Sequence, residues 1–309
     1  MREEAPSRAQ RVIDNNDILF QCVRPYQKNN YIHRILNTSN QQWVASTGYA
    51  QIRTTELPNY IYHLLNTDEF NRKVMVRCTG SSYPAINSED LATIHLYYTP
   101  DKKEQLKISR LLDLLDKRIA TQNKIIEKLQ SLIKGLAAQL TQSGTPNIRL
   151  CDCLECHSST LQENCVSVTG SYPVYGATGL IGYTNNYAYN GESILIVKDG
   201  SGVGSLSYVN DHFSVIGTLN YLTAKENYSI LYLYYALMAF NFTPYITGMA
   251  IPHIYFKDYG KAKLFYPSIE KRIRIASLLH NIEQKLVVEQ NLVISLSAQK
   301  SYLLRMLFI

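Results

Sequence analysis

Two stretches of the chain, residues 108–140 and 275–307, carry the same pattern of apolar residues 167 positions apart. Within each stretch, apolar residues recur alternately every four and every three positions, which is the period of a coiled-coil seam. A polar interruption recurs at matching positions, as Gln122 in the first stretch and Glu289 in the second. The repeat therefore predicts a protein of two similar halves, each ending in a long helix.

The apolar seams of the two predicted helices must be covered, and the nearest matching surface is each other. Two like helices in one chain can pair about a local two-fold axis, which makes them antiparallel. We expect Gln122 and Glu289 to meet in mid-helix and to set the register. The alternative is that each helix packs on its own globular unit or on another chain. The residues assigned to helix pairing and partner docking are Leu112, Leu115, Ile119, Gln122, Ile126, Leu279, Ile282, Leu286, Glu289 and Val293.

The repeat extends upstream of the helices. Thr79-Gly80 with Pro84 parallels a Thr-Gly and Pro set 168 positions later, and a strand-like run at 17–20 resembles residues 193–196. Gly- and Asn-rich turns separate short β segments in the second half. We predict an α/β (α+β) fold with two domains separated by a long antiparallel two-helix coiled coil, and a pseudo-two-fold internal repeat. The predicted bounds are 1–99 for the first domain, 100–142 for the first helix, 143–266 for the second domain and 267–309 for the second helix.

The two halves differ at their starts. After a turn-rich linker at 143–146, the second half runs about 50 residues before its strand at 193–196, whereas the first half reaches its strand by residue 18. Most of residues 144–176 therefore have no counterpart in the first half, and we expect an amino-terminally truncated first domain.

Composition bounds the class of protein. An apolar content of 46% over 309 residues suits two domains with their own cores. A net charge of +6 mildly favours an anionic partner, and 24 tyrosines suit recognition surfaces, because tyrosine joins flat apolar area to a polar tip. The chain opens without a secretory signal, and its most apolar stretch, 228–240, is too short to cross a bilayer, so we expect a buried helix there and a cytoplasmic location.

Four of the six cysteines lie within residues 151–165, beside His157. Together these side chains could hold a structural zinc ion. The spacing lacks a second Cys-x2-Cys knuckle, however, so we favour small thiols in a reducing compartment and expect no metal site.

The sequence offers no convincing catalytic constellation. A methyltransferase acting alone would need an Asp/Asn-Pro-Pro-Tyr/Phe motif, which Asn-Phe-Thr-Pro-Tyr at 241–245 only approximates, and a glycine-rich cofactor loop. The Gly-Ser-Gly-Val-Gly-Ser segment at 200–205 lacks the Gly-Lys-Ser/Thr ending of a phosphate loop and is better explained as a hairpin bend. We expect no catalytic residue and no cofactor bound by this chain.

Several segments, in order and together with the helical repeat, resemble the specificity (S) subunit of type I DNA restriction–modification systems. They are SYPVYGATGLIGYTNN at 171–186, ILIVKDGSGVGS at 194–205, GMAIPHI at 248–254, YPSIEKRIRIASLLHNIEQKL at 266–286 and, for the interior of a first recognition domain, APSRAQRVIDNNDILFQCVRPY at 5–26. The resemblance implies two target-recognition domains that each read half of a split DNA sequence, with the helices as a ruler. It implies docking of methyltransferase (modification) subunits, which bind S-adenosylmethionine, and of restriction subunits in the full complex.

Candidate DNA contacts lie in polar loops that follow strands. Asparagine can read adenine in the major groove, and lysine can bind phosphate or guanine. The first domain supplies Arg24, Tyr26, Lys28, Asn29 and Asn30, and the second supplies Tyr183, Asn185, Asn186, Lys198 and Ser201. Ordinary polar turns are the alternative for each of these residues.

The leading hypothesis is a noncatalytic subunit that binds double-stranded DNA, methyltransferase subunits and a restriction subunit, and no membrane. One alternative is a coiled-coil adaptor that binds protein without reading DNA. Another is a truncated or silent recombination cassette of such a subunit.

Overall fold

The computed structural model describes residues 9–38 and 41–308, which divide into two compact units. The first unit combines the chain up to Ile125 with the chain from Glu289 onward, and the second unit is Ile126–Val288. Each unit therefore contains a globular domain together with one part of each long helix.

Short strands and helices form the globular part of the first unit. They are β1 (Ala9–Ile13), β2 (Ile18–Gln21), β3 (Tyr31–Ile32), β4 (Trp43–Ser46), β5 (Tyr49–Ile52), α1 (Pro58–Leu65), α2 (Asp68–Arg77) and α3 (Ser88–Ala92). β2 is the middle strand of an antiparallel sheet in the order β3-β2-β5, whereas β1 pairs with β4 separately. The first long helix, α4 (Lys102–Thr141), follows.

The core of the first domain is built on β2. Ile18 and Phe20 of this strand are buried in one cluster with Tyr60 of α1 and Val74 of α2. The Phe20 ring meets the edge of Phe70 from α2 at a centroid distance of 5.7 Å. The strand predicted at 17–20 is therefore the buried centre of this domain, and α1 and α2 cover it.

The second unit carries a wider sheet. Its elements are β6 (Ile148–Arg149), α5 (Leu150–Cys153), β7 (Leu154–Ser158), β8 (Tyr172–Gly176), β9 (Gly179–Thr184), β10 (Tyr189–Val197), β11 (Leu206–Val215), β12 (Leu219–Ala224), α6 (Ile230–Met238), α7 (Phe256–Tyr259), β13 (Lys263–Leu264) and the start of the second long helix, α8 (Ile269–Leu307). The sheet order is β7-β12-β10-β11-β8-β9, and only β11 and β8 pair in parallel.

Sequence predictions for the second unit are confirmed at three places. Residues 193–196 lie within β10. β10 and β11 pair antiparallel with Ile196 opposite Leu206, so residues 198–205 are a hairpin bend. The most apolar stretch forms α6, in which Tyr232, Leu233 and Tyr235 are fully buried.

The two units share a three-strand arrangement. Ile18 of β2 and Ile194 of β10 are both fully buried and hold equivalent positions. Ile18 pairs with β3 on one side and with β5 on the other. Ile194 pairs in the same way with β11 and β12. The internal repeat expected from the sequence thus extends to strand pairing.

Within the first unit, the start of α4 and the end of α8 run antiparallel. Asp116 forms an ion pair with Lys300, and Gln122 donates a hydrogen bond to Glu289. Gln122 and Glu289 are only 2% and 7% exposed, so the interruption of each apolar seam is a buried polar pair. The predicted meeting of these two residues is confirmed, and each one pairs with its own equivalent in the repeat.

The same helices complete the core of the first domain. Ile108 and Leu112 of α4 are buried in the cluster built on β2, and Leu303 and Leu307 of α8 pack against it. The helices therefore pair with each other and also pack on the globular domain of the first unit.

Within the second unit, the later part of α4 meets the earlier part of α8. Ile133 of α4 is buried in one cluster with Ile275 and Leu279 of α8 and with most of α6. Lys271 near the start of α8 donates to Ser143 just beyond the end of α4, at 3.1 Å. The helices are therefore antiparallel in this unit also.

Replacing Gln122 by alanine removes an amide that donates to a buried carboxylate. Because such a loss costs about 1–3 kcal/mol, we expect Gln122→Ala to lower the melting temperature measured by circular dichroism. Asn123→Ala, at an exposed neighbouring position, is the control. The double variant Gln122→Leu/Glu289→Leu should recover or exceed the native melting temperature, because an apolar pair needs no hydrogen bond. Equal melting temperatures for Gln122→Ala and the control would contradict this role.

Candidate nucleic-acid interface

In the first unit, the turn that follows β2 is held against a Thr-Gly hairpin. The Arg24 amide donates to the Pro84 carbonyl at 2.8 Å, and the Ile86 amide donates to the Cys22 carbonyl at 3.0 Å. Thr79 and Ala85 exchange two backbone hydrogen bonds, each 2.9 Å long, which close the hairpin. Backbone groups therefore fix this pair of loops, and their geometry does not depend on most of the side chains that they carry.

The second unit repeats this arrangement after β10. The Gly200 amide donates to the Pro252 carbonyl at 2.9 Å, and the Ile254 amide donates to the Lys198 carbonyl at 3.0 Å. Thr247 and His253 close the hairpin in the same way. We call this element the turn–hairpin surface, formed by residues 22–30 with 79–86 in the first unit and by 198–205 with 247–254 in the second.

Glycine is required at the same hairpin position in both units. Gly80 and Gly248 have φ angles of 88° and 89°, in the region that L side chains rarely adopt. A Cβ atom at Gly248 would lie 2.3 Å from the carbonyl oxygen of Ile251. The glycine that the sequence repeats therefore serves the tightness of this turn.

The first turn–hairpin surface presents aromatic and basic side chains together. The Arg24 guanidinium lies 4.2 Å from the ring centroid of Tyr83, a cation–π contact. Tyr26 and Tyr83 are 49% and 64% exposed. Arg24 and Tyr26 were predicted from the sequence, whereas Tyr83 was missed. The hairpin that contains Tyr83 served in the sequence only to align the two halves of the repeat.

Three other candidates of the first domain have intramolecular partners. Lys28 forms an ion pair with Asp68 at 2.7 Å and donates to the Asn66 carbonyl. The Asn30 side-chain carbonyl accepts a hydrogen bond from the backbone N–H of Gln21 at 2.8 Å, and its side-chain NH2 group donates to the side-chain carbonyl of Asn66 at 3.0 Å. Asn29 is exposed, and its backbone amide donates to the side chain of Gln21. These contacts give Lys28 and Asn30 a part in holding the turn on the domain.

The second turn–hairpin surface is more apolar. Lys198 is ion-paired with its neighbour Asp199, and Ser201 is exposed at the tip of the bend. Met249 is fully exposed and Ile251 is 65% exposed in the facing hairpin. Exposed apolar side chains of this kind mark contact surfaces, and they were missed because the sequence pattern does not show which hairpin residues face solvent.

The remaining candidates lie at the far edge of the second sheet. Tyr183 is in β9, where its backbone pairs with Ser167 in both directions. Asn185 and Asn186 follow this strand, are exposed, and line a cleft of about 450 Å³. The Thr184 hydroxyl donates to the Asn186 carbonyl at 2.6 Å and so orders the loop.

An aromatic cluster borders this cleft. Tyr187 lies 4.9 Å from Tyr172 and 4.6 Å from His212, measured between ring centroids, and it is 47% exposed. Flat exposed rings next to asparagine amides can stack on sugars or bases while the amides form hydrogen bonds. The cluster joins residues from β8, β11 and a loop, so no local sequence pattern indicated it.

Two neighbouring tyrosines of α6 hold that helix to α8. The hydroxyls of Tyr234 and Tyr235 donate to Glu283 at 2.9 Å and 2.7 Å. Burial, with the adjacent carboxylate, raises the pKa of both tyrosines above the usual range, so they stay protonated and remain donors. This buried group is therefore structural.

The cysteine cluster does not form a metal centre in the part of the chain that the structure describes. No group of three or more His, Cys, Asp or Glu side chains is placed there to hold an ion. Cys153 is fully buried, and burial raises the pKa of its thiol to about 12 and that of Cys156 to about 11. Cys165, in contrast, is exposed.

Thiol alkylation tests this arrangement. With iodoacetamide at pH 8, we expect Cys165 to react first and Cys153 last, because access to Cys153 is blocked and its raised pKa keeps the thiol protonated. Raising the pH toward 11 should accelerate the reaction of Cys156, whose thiolate fraction grows over that interval. Peptide mass spectrometry measures each site, and the protein unfolded in urea is the control in which all six react. Equal rates for Cys153 and Cys165 in the folded protein would contradict the assignment.

The chain carries two α/β domains with matching turn–hairpin surfaces and long paired helices, so it is an internally duplicated two-domain protein. Within residues 9–38 and 41–308, none of the helices combines the length and the hydrophobicity that a membrane span requires. The chain belongs to the family of type I restriction–modification DNA specificity domains, because the family model of that description matches residues 4–131 and again residues 148–296.

Curated relatives carry the same designation. The Escherichia coli type I restriction enzyme EcoprrI specificity subunit is 28% identical over 112 residues, which is 36% of this chain and 28% of that protein. The Mycoplasma pneumoniae type I specificity subunit S.MpnORF285P is 30% identical over 138 residues, 42% of this chain and 43% of that protein. The matches thus span less than half the length of these relatives.

Solved structures share the fold over nearly the whole chain. The S subunit of a type I restriction–modification system from M. genitalium superposes with a TM-score of 0.69 at 17% identity, over 97% of this chain and 84% of that one. A chain from a study of type I complex assembly and conformational transition gives 0.55 at 20% identity, over 99% and 85%. At these identities the likeness establishes the fold.

Proposed function

We propose that this chain is the noncatalytic DNA-specificity subunit of a type I restriction–modification complex, and that it reads a target in two separated parts. The observation that carries the proposal is the duplication of the family's specificity domain along one chain. We assign residues 1–99 and 143–266 to the two target-recognition domains, and 100–142 and 267–309 to the helices that space them.

The proposed DNA contacts combine positioning and reading. Arg24, stacked on Tyr83, suits a phosphate or a guanine edge, and Lys198 suits a phosphate. Asn185 and Asn186, beside the exposed Tyr187, suit an adenine edge. A net charge of +6 favours approach to DNA.

The proposed partners supply the chemistry. Methyltransferase subunits dock on the paired helices and bring S-adenosylmethionine, a restriction subunit joins them in the full complex, and the assembly acts in the cytoplasm. The exposed faces of α4 and α8 carry apolar side chains suited to this docking, among them Leu114, Ile294 and Tyr302, which are 64%, 67% and 55% exposed.

Methylome sequencing tests the proposal. The chain is co-expressed with its cognate methyltransferase subunits in a host without other methylation, and modified bases are mapped by single-molecule sequencing. We expect methylation at one split motif, with a fixed number of unread bases between its two parts. Methylation of a contiguous motif, or a stable complex without any DNA methylation, would overturn the proposal, and the second result would favour a protein-binding adaptor.

Alanine at Asn185 or Asn186 should relax the half of the motif that the second domain reads. Loss of one bidentate base contact costs about 1–3 kcal/mol of discrimination, so substituted bases should appear at one position of that half while the other half stays unchanged. Asn281→Ala, exposed on α8, is the matched control. An unchanged motif in both asparagine variants would remove this loop from the reading surface.

Phosphate contacts should appear in the salt dependence of DNA affinity. In the assembled methyltransferase complex, we plot the logarithm of the DNA association constant against the logarithm of the salt concentration. If Arg24 and Lys198 each contact a phosphate, Arg24→Gln and Lys198→Gln should each reduce the magnitude of this slope by about one. Lys124→Gln, exposed on α4, should leave the slope unchanged. Fluorescence anisotropy on a labelled duplex measures the slope, and identical slopes for all three variants would contradict the assignment.

A further inference from the structure

The turn after β2 holds an arginine in a backbone conformation that arginine rarely adopts. Arg24 has a φ angle of 53° and a ψ angle of 54°, in the left-handed region that side chains other than glycine disfavour. The equivalent residue of the second unit is Gly200, whose φ angle is 97°. The two are equivalent because the amide of each donates to the carbonyl of a hairpin proline, Pro84 or Pro252. The turn therefore suits glycine, and the first unit carries arginine in its place.

The turn–hairpin surface can be built without the contact between Arg24 and Tyr83. The 168-position repeat that relates the two hairpins carries Tyr83 to Ile251. The second unit therefore forms the same turn and hairpin with Gly200 and Ile251 at the two positions, and the same backbone hydrogen bonds hold it. The guanidinium and the ring of the first unit are thus not required by the fold of these loops, and both are available for recognition.

The side-chain donors of Arg24 have no acceptor within the residues that the structure describes. The half-buried guanidinium lies against the Tyr83 ring, and no carboxylate or carbonyl of residues 9–38 or 41–308 accepts a hydrogen bond from it. The first turn–hairpin surface contains no Asp or Glu, and its other cation, Lys28, is paired with Asp68. A half-buried guanidinium without an acceptor in its own chain is suited to an acceptor on a partner.

The surroundings of Arg24 favour a base edge over a phosphate as this acceptor. A phosphate site in a loop gathers several free backbone amides, but the amides of Arg24, Gln27 and Lys28 already donate to backbone carbonyls. A guanine presents N7 and O6 side by side, and the planar fork of a single guanidinium matches them. The exposed rings of Tyr26 and Tyr83 add flat apolar surface beside that fork.

We propose that Arg24 reads a guanine in the half of the target that the first domain recognises, and that Tyr83 positions Arg24 for this contact. The stacked ring holds the guanidinium by one face and leaves its edge free for N7 and O6 of the base. This role rests on the proposed specificity function, and it narrows the partner of Arg24 from a phosphate or a guanine to a guanine.

Arg24→Gly separates recognition from folding, because glycine is the residue of the equivalent turn. The variant removes the guanidinium together with the disfavoured backbone conformation, so circular dichroism should give a melting temperature close to that of the native chain. In the co-expressed methyltransferase complex, methylome sequencing should show one G·C position of the split motif becoming degenerate while every other position is unchanged. Arg72→Ala, exposed on α2, is the control. An unchanged motif, or relaxation at an A·T position, would overturn the proposal.

A base analogue distinguishes a guanine edge from a phosphate. 7-Deazaguanine lacks the N7 acceptor, so a duplex that carries it at this position should bind the native complex about tenfold more weakly. The Arg24→Gly complex should bind the normal and the substituted duplex equally, because the group that senses N7 is gone. Fluorescence anisotropy at one fixed salt concentration measures each affinity. If the analogue weakens both complexes alike, or if Arg24→Gly weakens binding to every duplex by the same factor, Arg24 does not read this base.

Variants of Tyr83 test the positioning role. Tyr83→Phe keeps the ring and should keep the native motif, whereas Tyr83→Leu keeps apolar bulk without a ring and should relax the same G·C position as Arg24→Gly. Identical motifs for the two Tyr83 variants would show that the ring does not position Arg24. A native chain that directs a split motif retains the proposed specificity function whatever these variants show, whereas a native chain that directs no methylation would overturn both proposals.

Discussion

The antiparallel contact between α4 and α8 is the constraint on which the rest of the structure depends. In each unit the buried core includes side chains from both helices, such as Leu112 with Leu303 in the first unit and Ile133 with Leu279 in the second. Neither domain therefore has a complete core without a distant part of the chain. Because burial of each large apolar side chain contributes roughly 1.5–3 kcal/mol, helix pairing and domain folding are coupled.

The polar pair in the seam adds register to this contact. An apolar seam alone tolerates a shift by one heptad, because every position in it accepts a similar neighbour. The hydrogen bond between Gln122 and Glu289 is satisfied in one alignment only, in which each residue meets its own repeat equivalent. The pair therefore fixes which residues of α4 face which residues of α8 where the two helices meet.

The turn–hairpin surfaces show how one backbone can present different side chains. Their geometry rests mainly on amide-to-carbonyl hydrogen bonds and on a glycine with positive φ, and in the first surface also on the side chains of Lys28 and Asn30. The first surface accordingly presents Arg24 and Tyr83, whereas the second presents Met249 and Ile251. Side chains at such positions can therefore be exchanged with little cost to the fold.

By itself, the sequence determined the elements whose signals are local or periodic. Apolar spacing indicated the long helices, the core strands at 17–20 and 193–196 and the meeting of Gln122 with Glu289, because spacing sets which face of a helix or strand is buried. The glycine-rich segment between two strand-like runs indicated the hairpin bend at 198–205. Tertiary structure alone decided which polar residues already have hydrogen-bond partners, such as Asn30 with Asn66. It also decided which surfaces arise from distant segments, such as the Tyr172–Tyr187–His212 cluster. These depend on contacts between residues far apart in the chain, and no periodicity along a single strand or helix encodes such contacts.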